Sequence, residues 1–430
     1  MAHGRKSKRV LIYSHDSFGL GHLRRCREIA HSLVASGSDL SVLILSGSPI
    51  IGSFDFRARV DFVRIPGVIK LRNGEYTSLN LHIDIEHTLA IRASIVEQTA
   101  KIFDPHLFLV DKEPLGLRGE VRSTLAMMKA RGTACVLGLR DVMDDPVLLA
   151  AEWQRKNVLP TLSAYYDDIW IYGLPQFYDP LAGIALPDSL RKKMTFTGYL
   201  NRHVPETAPI FVPDKISDPF LLVTVGGGGD GEEIIDWVLS AYETDPDLPY
   251  PALLVLGPFM GSQYQADFLH RANRLDNVEA ITFDAHIESL MERAKAVVCM
   301  GGYNTFCEVL SFDKRALLVP RTTPRMEQYI RATRAQELGL ARMLVDDGVR
   351  DPRAMITALR DLPQQALPSD VVVPGLLDGR ANVVKLAEQW LERGRGRLQI
   401  AAENGDWPVA IGQGAKWRRT GGLTAADRAL

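Results

Sequence analysis

Gly301-Gly302-Tyr303-Asn304-Thr305-Phe306-Cys307-Glu308 follows directly on an apolar run, Ala296-Val297-Val298-Cys299-Met300. The run reads as a strand buried within a parallel sheet. Residues 305–312 have helical character. A strand that ends in glycines and turns straight into a helix leaves several backbone N–H groups unpaired. Those donors, with the positive end of the helix dipole, suit a phosphate or pyrophosphate. Glu308 lies about one turn inside the helix. Its carboxylate would repel a phosphate but can accept hydrogen bonds from a sugar diol nearby. Phosphate donors beside a diol acceptor are what a nucleotide or nucleotide-sugar requires. The plain structural alternative is a tight turn whose glutamate only complements the dipole.

The same strand–glycine–helix order recurs elsewhere. Arg9-Val10-Leu11-Ile12-Tyr13-Ser14 runs into Phe18-Gly19-Leu20-Gly21-His22, and Ile29, Leu33 and Val34 then fall on one helical face. Phe220-Leu221-Leu222-Val223-Thr224-Val225 runs into Gly226-Gly227-Gly228-Gly229-Asp230-Gly231, followed by Ile234, Ile235, Val238 and Leu239. Further short apolar runs, at residues 40–45, 107–110, 134–139, 252–256 and 316–319, alternate with amphipathic stretches. The pattern predicts two open parallel sheets covered by helices, an α/β chain of two Rossmann-like halves. Ligands of such sheets bind at the carboxyl ends of strands. Two halves facing each other place all three Gly-rich turns around one cleft.

Pro205, Pro209, Pro213 and Pro219 mark a linker. The expected organisation is an N-terminal domain at 1–200, a linker at 201–218 and a second domain at 219–380. A helix at 381–394 and a loosely ordered tail at 395–430 follow.

Composition narrows the function classes. The 430 residues are 46% hydrophobic and 24% charged, an ordinary globular profile long enough for two cores. A net charge of −2 gives no global field for nucleic acid. Cys26, Cys135, Cys299 and Cys307 are scattered without a C-x-x-C pair, which argues against zinc and disulfides and fits a reducing cytoplasm. The apolar run behind the basic start, residues 10–13, is too short for a signal-peptide core. That basic start is compatible with weak peripheral contact at a membrane surface. His82, Asp84, Glu86 and His87 imitate a metal spacing but read as a solvated helix entry. No metal and no cofactor are expected.

Polar residues at predicted strand ends are further candidates. Asp111-Lys112-Glu113 follows one run and Arg140-Asp141 another, so Asp111, Glu113 and Asp141 are candidate bases or acceptor ligands.

Taken in order, the motifs resemble a GT-B glycosyltransferase, nearest to the MurG-like family 28 enzymes. Over about residues 220–345 the resemblance rests on Phe283-Asp284-Ala285-His286, the Gly301–Glu308 stretch, Val319-Pro320-Arg321 and Arg325-Met326-Glu327-Gln328. It implies a site for a nucleotide-diphosphate sugar, with a UDP-sugar the expected donor. Glu308 would hold the ribose, and Gly301, Gly302, Tyr303, Asn304 and Thr305, with Gly226 and Gly227, the diphosphate. Phe283 and Asp284 would border the base, and Glu327 and Gln328 would address the donor sugar or ribose. Gly301 replaces the family's small polar residue and Glu327-Gln328 its Gln-Gln pair, which leaves the sugar open. Gly19-Leu20-Gly21-His22-Leu23-Arg24-Arg25 matches the family's G-x-G-H-x-x-R more loosely. There His22 would act as base or phosphate donor, with Gly19, Gly21, Arg24 and Arg140 on the acceptor or phosphate side.

The resemblance implies metal-independent, inverting transfer of a hexosyl or N-acetylhexosaminyl group. The acceptor would be a carbohydrate, a lipid-linked molecule or another small molecule. GLGHLRRC is equally similar to the start of PseG-type nucleotide-sugar hydrolases, so hydrolysis remains an alternative. A non-catalytic nucleotide-sugar-binding protein and a nucleotide-sugar epimerase are the others.

Overall fold

Two parallel sheets organise the chain. In the computed structural model, residues 7–16, 20–70, 75–204 and 213–403 are described. The N-terminal strands are β1 (Lys8–Ser14), β2 (Leu40–Ser46), β3 (Val60–Arg64), β4 (Val68–Lys70), β5 (Tyr76–Ser78), β6 (Leu107–Asp111), β7 (Ala134–Arg140), β8 (Asp168–Tyr172) and β9 (Met194–Phe196). The C-terminal strands are β10 (Leu221–Thr224), β11 (Ala252–Val255), β12 (Val278–Ile281), β13 (Ala296–Cys299), β14 (Arg315–Leu318) and β15 (Arg342–Met343). The first sheet runs β3-β2-β1-β6-β7-β8-β9 and the second β12-β11-β10-β13-β14-β15, all parallel. Strands β4 and β5 form a small antiparallel ribbon.

In each sheet the strand order reverses once, between β1 and β6 and between β10 and β13. A reversal sends the following helices to opposite faces and opens a crevice at the carboxyl ends of the two strands. The quoted Gly-rich turns follow β1, β10 and β13, so each lies at one of these crevices.

The helices are fixed by burial of one face. On Gly21–Ser36, Leu23, Cys26, Ile29, Ala30, Leu33 and Val34 are all buried. Full burial of each larger aliphatic side chain is worth roughly 1.5–3 kcal/mol. The apolar cluster that begins there runs through Tyr199 and Leu200 into Phe306 and Leu310, then to Val383, Ala387 and Leu391. One core therefore joins both halves and the C-terminal helix.

That helix departs from the expectation. It spans Gly379–Glu403 rather than 381–394, so residues 395–403, read as loose tail, are helical. Gly394 and Gly396 lie within it, and a helix glycine costs only about 1 kcal/mol. Residues 404–430 lie outside the described residues, as do most of the basic start and 205–212 of the linker. The helix packs on the N-terminal domain, not on the half that precedes it. Arg380 Nε donates to Ser32 Oγ at 2.9 Å, and Trp390 Nε1 to Asp168 Oδ2 at 3.1 Å. The chain returns beside its outward crossing: Tyr199 N donates to Leu376 O at 2.8 Å, and Leu200 bridges Asp378. Among the described residues no helix is long and apolar enough to cross a membrane.

Candidate functional site

A cleft of about 500 Å³ lies between the two sheets. Gly21, His22, Arg24, Arg25 and Arg140 line it from the N-terminal half. Gly226, Gly227, Asp230, Gly302, Tyr303, Asn304, Thr305, Arg321, Glu327 and Gln328 line it from the other. Gly19 lies outside the described residues.

On the C-terminal side the helix Tyr303–Ser311 starts at the cleft, with Gly302 as N-cap and no side-chain cap. Its first backbone bond is Phe306 N to Gly302 O, so the N–H groups of Tyr303, Asn304 and Thr305 have no intrahelical acceptor. A side chain at Gly302 would meet nothing within 4 Å, which leaves room for a ligand against the backbone. The tetraglycine turn is packed backbone to backbone. Gly228 has φ +79° and a Cβ there would fall 2.3 Å from Leu256 O, so only glycine fits.

His22 sits in the first turn of Gly21–Ser36, and its Nδ1 is hydrogen-bonded to Asp111 Oδ2 at the end of β6. Arg25 grips the same carboxylate, Nε to Oδ1 at 2.9 Å and Nη2 to Oδ2 at 2.7 Å. Burial opposes the charge on Asp111, but Arg25 and His22 hold its carboxyl below the usual range. Burial also lowers the His22 pKa, against the pull of Asp111. The imidazole is therefore neutral near pH 7. An ionised Asp111 accepts the Nδ1 proton, which leaves Nε2 as a free base. The His15 ring, edge-on to His22 at 5.6 Å, is pushed by burial down to about 3 and stays neutral as well.

Glu308 is 1% exposed and does not line the cleft. Arg24 Nη2 donates to its Oε1 at 2.5 Å and to Glu288 Oε1 at 2.8 Å, while Glu308 Oε2 has no partner. Burial pushes the Glu308 carboxyl up to about 7 despite Arg24. Arg202 continues this contact between the halves, donating to Asn304 Oδ1 at 2.8 Å, and Asn304 Nδ2 donates to Gly21 O at 2.9 Å.

Two expectations need correction on physical grounds. Asp141, a candidate base, is fully buried away from the cleft. Arg331 holds both its oxygens, Nε to Oδ2 at 2.8 Å and Nη2 to Oδ1 at 2.6 Å, and Tyr199 Oη adds a third bond at 2.8 Å. Three hydrogen bonds and full burial keep this carboxylate away from a substrate proton; it braces the structure. Arg331 also donates to Gly301 O at 2.9 Å, fixing the turn whose φ is +73°. Phe283 does not line the cleft either. It packs edge-on against Phe54, at 6.3 Å, in a small apolar cluster with Leu20, Leu23 and Ile51. Asp284 turns its carboxylate to His286 N at 2.6 Å.

Glu113 is engaged by Lys156 at 3.1 Å. Glu327 Oε1 accepts from Arg321 Nη2 at 2.9 Å, and Gln328 Oε1 from Arg321 N at 3.2 Å. Asp84 caps the helix Ile85–Phe103 through His87 N at 2.8 Å, which accounts for the metal-like spacing. No group of three or more His, Cys, Asp or Glu suited to a metal occurs among the described residues. All four cysteines are buried and free. Residues the sequence reading passed over are His15, Lys112, Arg202, Arg321 and Arg325. For His15 and Lys112 the signal was present, since each directly follows a strand at the reversal of the first sheet.

Residues 221–368 match the glycosyltransferase family 28 C-terminal domain. A curated relative from Methanosarcina acetivorans, described as an uncharacterized glycosyltransferase, is 25% identical over 389 residues, 86% of this chain and 96% of its own. A second, of the same description from Methanosarcina mazei, is 23% identical over 402 residues with the same coverage. Among solved structures, CalG4, the calicheamicin glycosyltransferase, superposes with a TM-score of 0.58 at 17% identity, covering 90% of this chain and 99% of CalG4. Glycosyltransferase VinC, in complex with dTDP, gives 0.52 at 17% identity, covering 92% and 100%. The structural likenesses speak to the fold, two Rossmann-like domains across a cleft, and the sequence matches to the activity. The chain is a glycosyltransferase of GT-B fold whose residues 221–368 are similar to the glycosyltransferase family 28 C-terminal domain.

Proposed function

We propose that this protein transfers a hexosyl or N-acetylhexosaminyl group from a nucleotide-diphosphate sugar, a UDP-sugar in the first instance, to a hydroxyl acceptor. The transfer proceeds with inversion and without a metal. The observation that carries the reading is that one cleft holds both the open N-terminus of Tyr303–Ser311 and the His22–Asp111 pair. The diphosphate would lie on the N–H groups of residues 303–305 and on the turn at Gly226 and Gly227. As the glycosidic bond breaks, those donors take up the charge growing on the leaving oxygen, as oxyanion donors do. The acceptor hydroxyl would lie against His22 Nε2, which removes its proton as the new bond forms. Asp111 holds the imidazole in the right tautomer and steadies the imidazolium. Attack from the domain opposite the leaving group gives inversion at the reacting carbon.

Calorimetry with UDP-sugars and dTDP-sugars, followed by turnover in EDTA, tests this reading. Binding of one such donor, with turnover that survives the chelator, is the expected result. Turnover restored only by a divalent ion would remove the metal-free step. Absence of binding for every nucleotide-sugar would remove the donor assignment. The acceptor class, whether carbohydrate, lipid-linked or small molecule, follows from product analysis, as does cytoplasmic location from fractionation.

A further inference from the structure

Arg321 is held on several sides within the cleft wall of the C-terminal half. It lies between β14 and the helix Glu327–Glu337. Its Nε pairs with Asp230 Oδ2 at 2.7 Å, its Nη1 donates to Thr323 O at 3.2 Å and its Nη2 to Glu327 Oε1 at 2.9 Å. Its backbone N donates to Gln328 Oε1 at 3.2 Å. Asp230 belongs to the glycine turn after β10, so this one residue ties that turn to the start of the helix. Arg321, Asp230, Glu327 and Gln328 all line the cleft.

These bonds use only one end of Glu327 and of Gln328. Glu327 is 3% exposed, and with Oε1 on Arg321 its Oε2 is a buried oxygen that has no hydrogen-bond partner among the described residues. A carboxylate buried only to brace the chain has both oxygens bonded, as Asp141 does. Burial opposes the charge on Glu327, but Arg140, Arg321 and Arg331 hold its carboxyl below the usual range. Oε2 therefore accepts and cannot donate. A backbone N–H can only donate, so Arg321 N meets the carbonyl end of the Gln328 amide and turns the Nε2 donor away from itself. The wall thus carries an acceptor and a donor on consecutive residues. Hydroxyls give and take hydrogen bonds alike, so two neighbouring hydroxyls match this set. A phosphate, which carries the same sign of charge as Glu327, does not.

We infer that Arg321 is a positioning residue for recognition of the transferred sugar: it fixes Glu327 and Gln328 so that Oε2 of the first accepts from, and Nε2 of the second donates to, neighbouring hydroxyls of that sugar. The inference rests on the proposed function and narrows the donor to one whose sugar keeps free hydroxyls at that point. The ribose is assigned elsewhere, to Glu308, which does not line the cleft. Arg325 and Arg331, on either side of the pair, grip Asp144 and Asp141 of the N-terminal half. Glu327 and Gln328 therefore lie where the donor domain meets the half that carries His22, and a sugar passed between the two halves must lie there too.

The test is calorimetry of the full chain with UDP and with UDP-glucose, UDP-galactose and UDP-N-acetylglucosamine, read as the affinity of each sugar-nucleotide relative to that of UDP. For the sugar with the highest ratio, Arg321→Met should lower the ratio about tenfold and leave UDP affinity within about threefold. Arg321→Lys, which can still make one bond to Glu327, should restore part of the ratio. Arg321→Met/Glu327→Gln has no unpaired buried carboxylate and so guards against a folding defect in the single variant. It should lower the ratio no further than Arg321→Met does, because the arginine acts through the glutamate. Asp230→Asn, which releases only the glycine turn, should leave the ratio unchanged. Equal loss of UDP and sugar-nucleotide affinity in Arg321→Met, as bracing of the glycine turn alone would give, overturns the inference. An additive loss in the double variant does the same. Absence of UDP binding to the unaltered chain removes the donor reading and the inference with it. UDP binding with a ratio that Arg321→Met does not move removes the inference alone.

Discussion

Arg24 reaches from the N-terminal domain to put one nitrogen, Nη2, on Glu308 Oε1 at 2.5 Å and on Glu288 Oε1 at 2.8 Å, both in the other domain. The residue expected on a ribose is thus held by a guanidinium that lines the cleft. Arg24 occupies only Oε1, and the unpartnered Oε2 is the atom left for a ribose diol. Glu308→Gln keeps the shape and removes the charge-assisted acceptor, which should weaken nucleotide-sugar binding by about 1.5–3 kcal/mol with the fold intact. Unchanged affinity in calorimetry would take Glu308 out of the site.

Removal of the other partner has a different outcome. Arg24→Met leaves two buried carboxylates facing each other with no cation between them, and should cost about 3–5 kcal/mol of stability. Denaturant unfolding of Arg24→Met and of Arg24→Met/Glu308→Gln measures it. The double variant should recover part of the loss, and no recovery would mean that the pair is not coupled.

The raised Glu308 carboxyl also makes stability depend on pH. It titrates near 7 in the folded chain against an ordinary value of 4.5, so the native state binds the proton more tightly. That contribution is fully present below pH 4.5 and is lost as pH rises through about 7, with a slope on the order of 1 kcal/mol per pH unit. The difference in melting temperature between wild type and Glu308→Gln should therefore move against the wild type between pH 5 and pH 7. A constant difference would show that Glu308 is ionised throughout.

His22→Ala should lower turnover by about 10²–10⁴ while donor affinity persists, because the proposed donor contacts belong to the other domain. The lowered pKa of His22 adds a second readout: the acidic limb of kcat/KM should have its midpoint below 6.5. A less stable variant with unchanged turnover per folded molecule would leave His22 a purely structural role.

Asp141→Asn separates bracing from catalysis. The buried Arg331 loses its counter-charge, so stability should fall by about 3–5 kcal/mol. Turnover of the folded fraction, measured at low temperature, should drop less than tenfold. A loss as large as that of His22→Ala would return Asp141 to the reaction.

Much of this was legible in the sequence because parallel sheets buried on both faces are written as unbroken apolar runs. Residues 107–110 and 134–139 became β6 and β7 almost to the residue, and the turns after β1, β10 and β13 fell where strand order reverses. Pairing was not legible. Asp111 and Asp141 look alike, each at the end of an apolar run, yet Arg25 and His22 reach one and Arg331 the other. Those partners are 86 to 190 residues away along the chain, and no local pattern records them. Phe283 failed for a related reason: an aromatic at a motif's edge faces whichever apolar neighbour the opposite domain supplies, here Phe54. The two-residue strand β15 carries too little pattern to be read at all.

The return of the chain beside Tyr199 and Leu200, followed by the helix Gly379–Glu403, makes the N-terminal domain discontinuous. Its sheet is finished by residue 196, but Val383, Ala387 and Leu391 of its core are supplied about 190 residues later. On the ribosome the second domain emerges whole in between and can fold as a unit. The domain synthesised first is then the last to be completed, and a chain cut short after the family 28 segment would leave an apolar stripe of that first domain open to water.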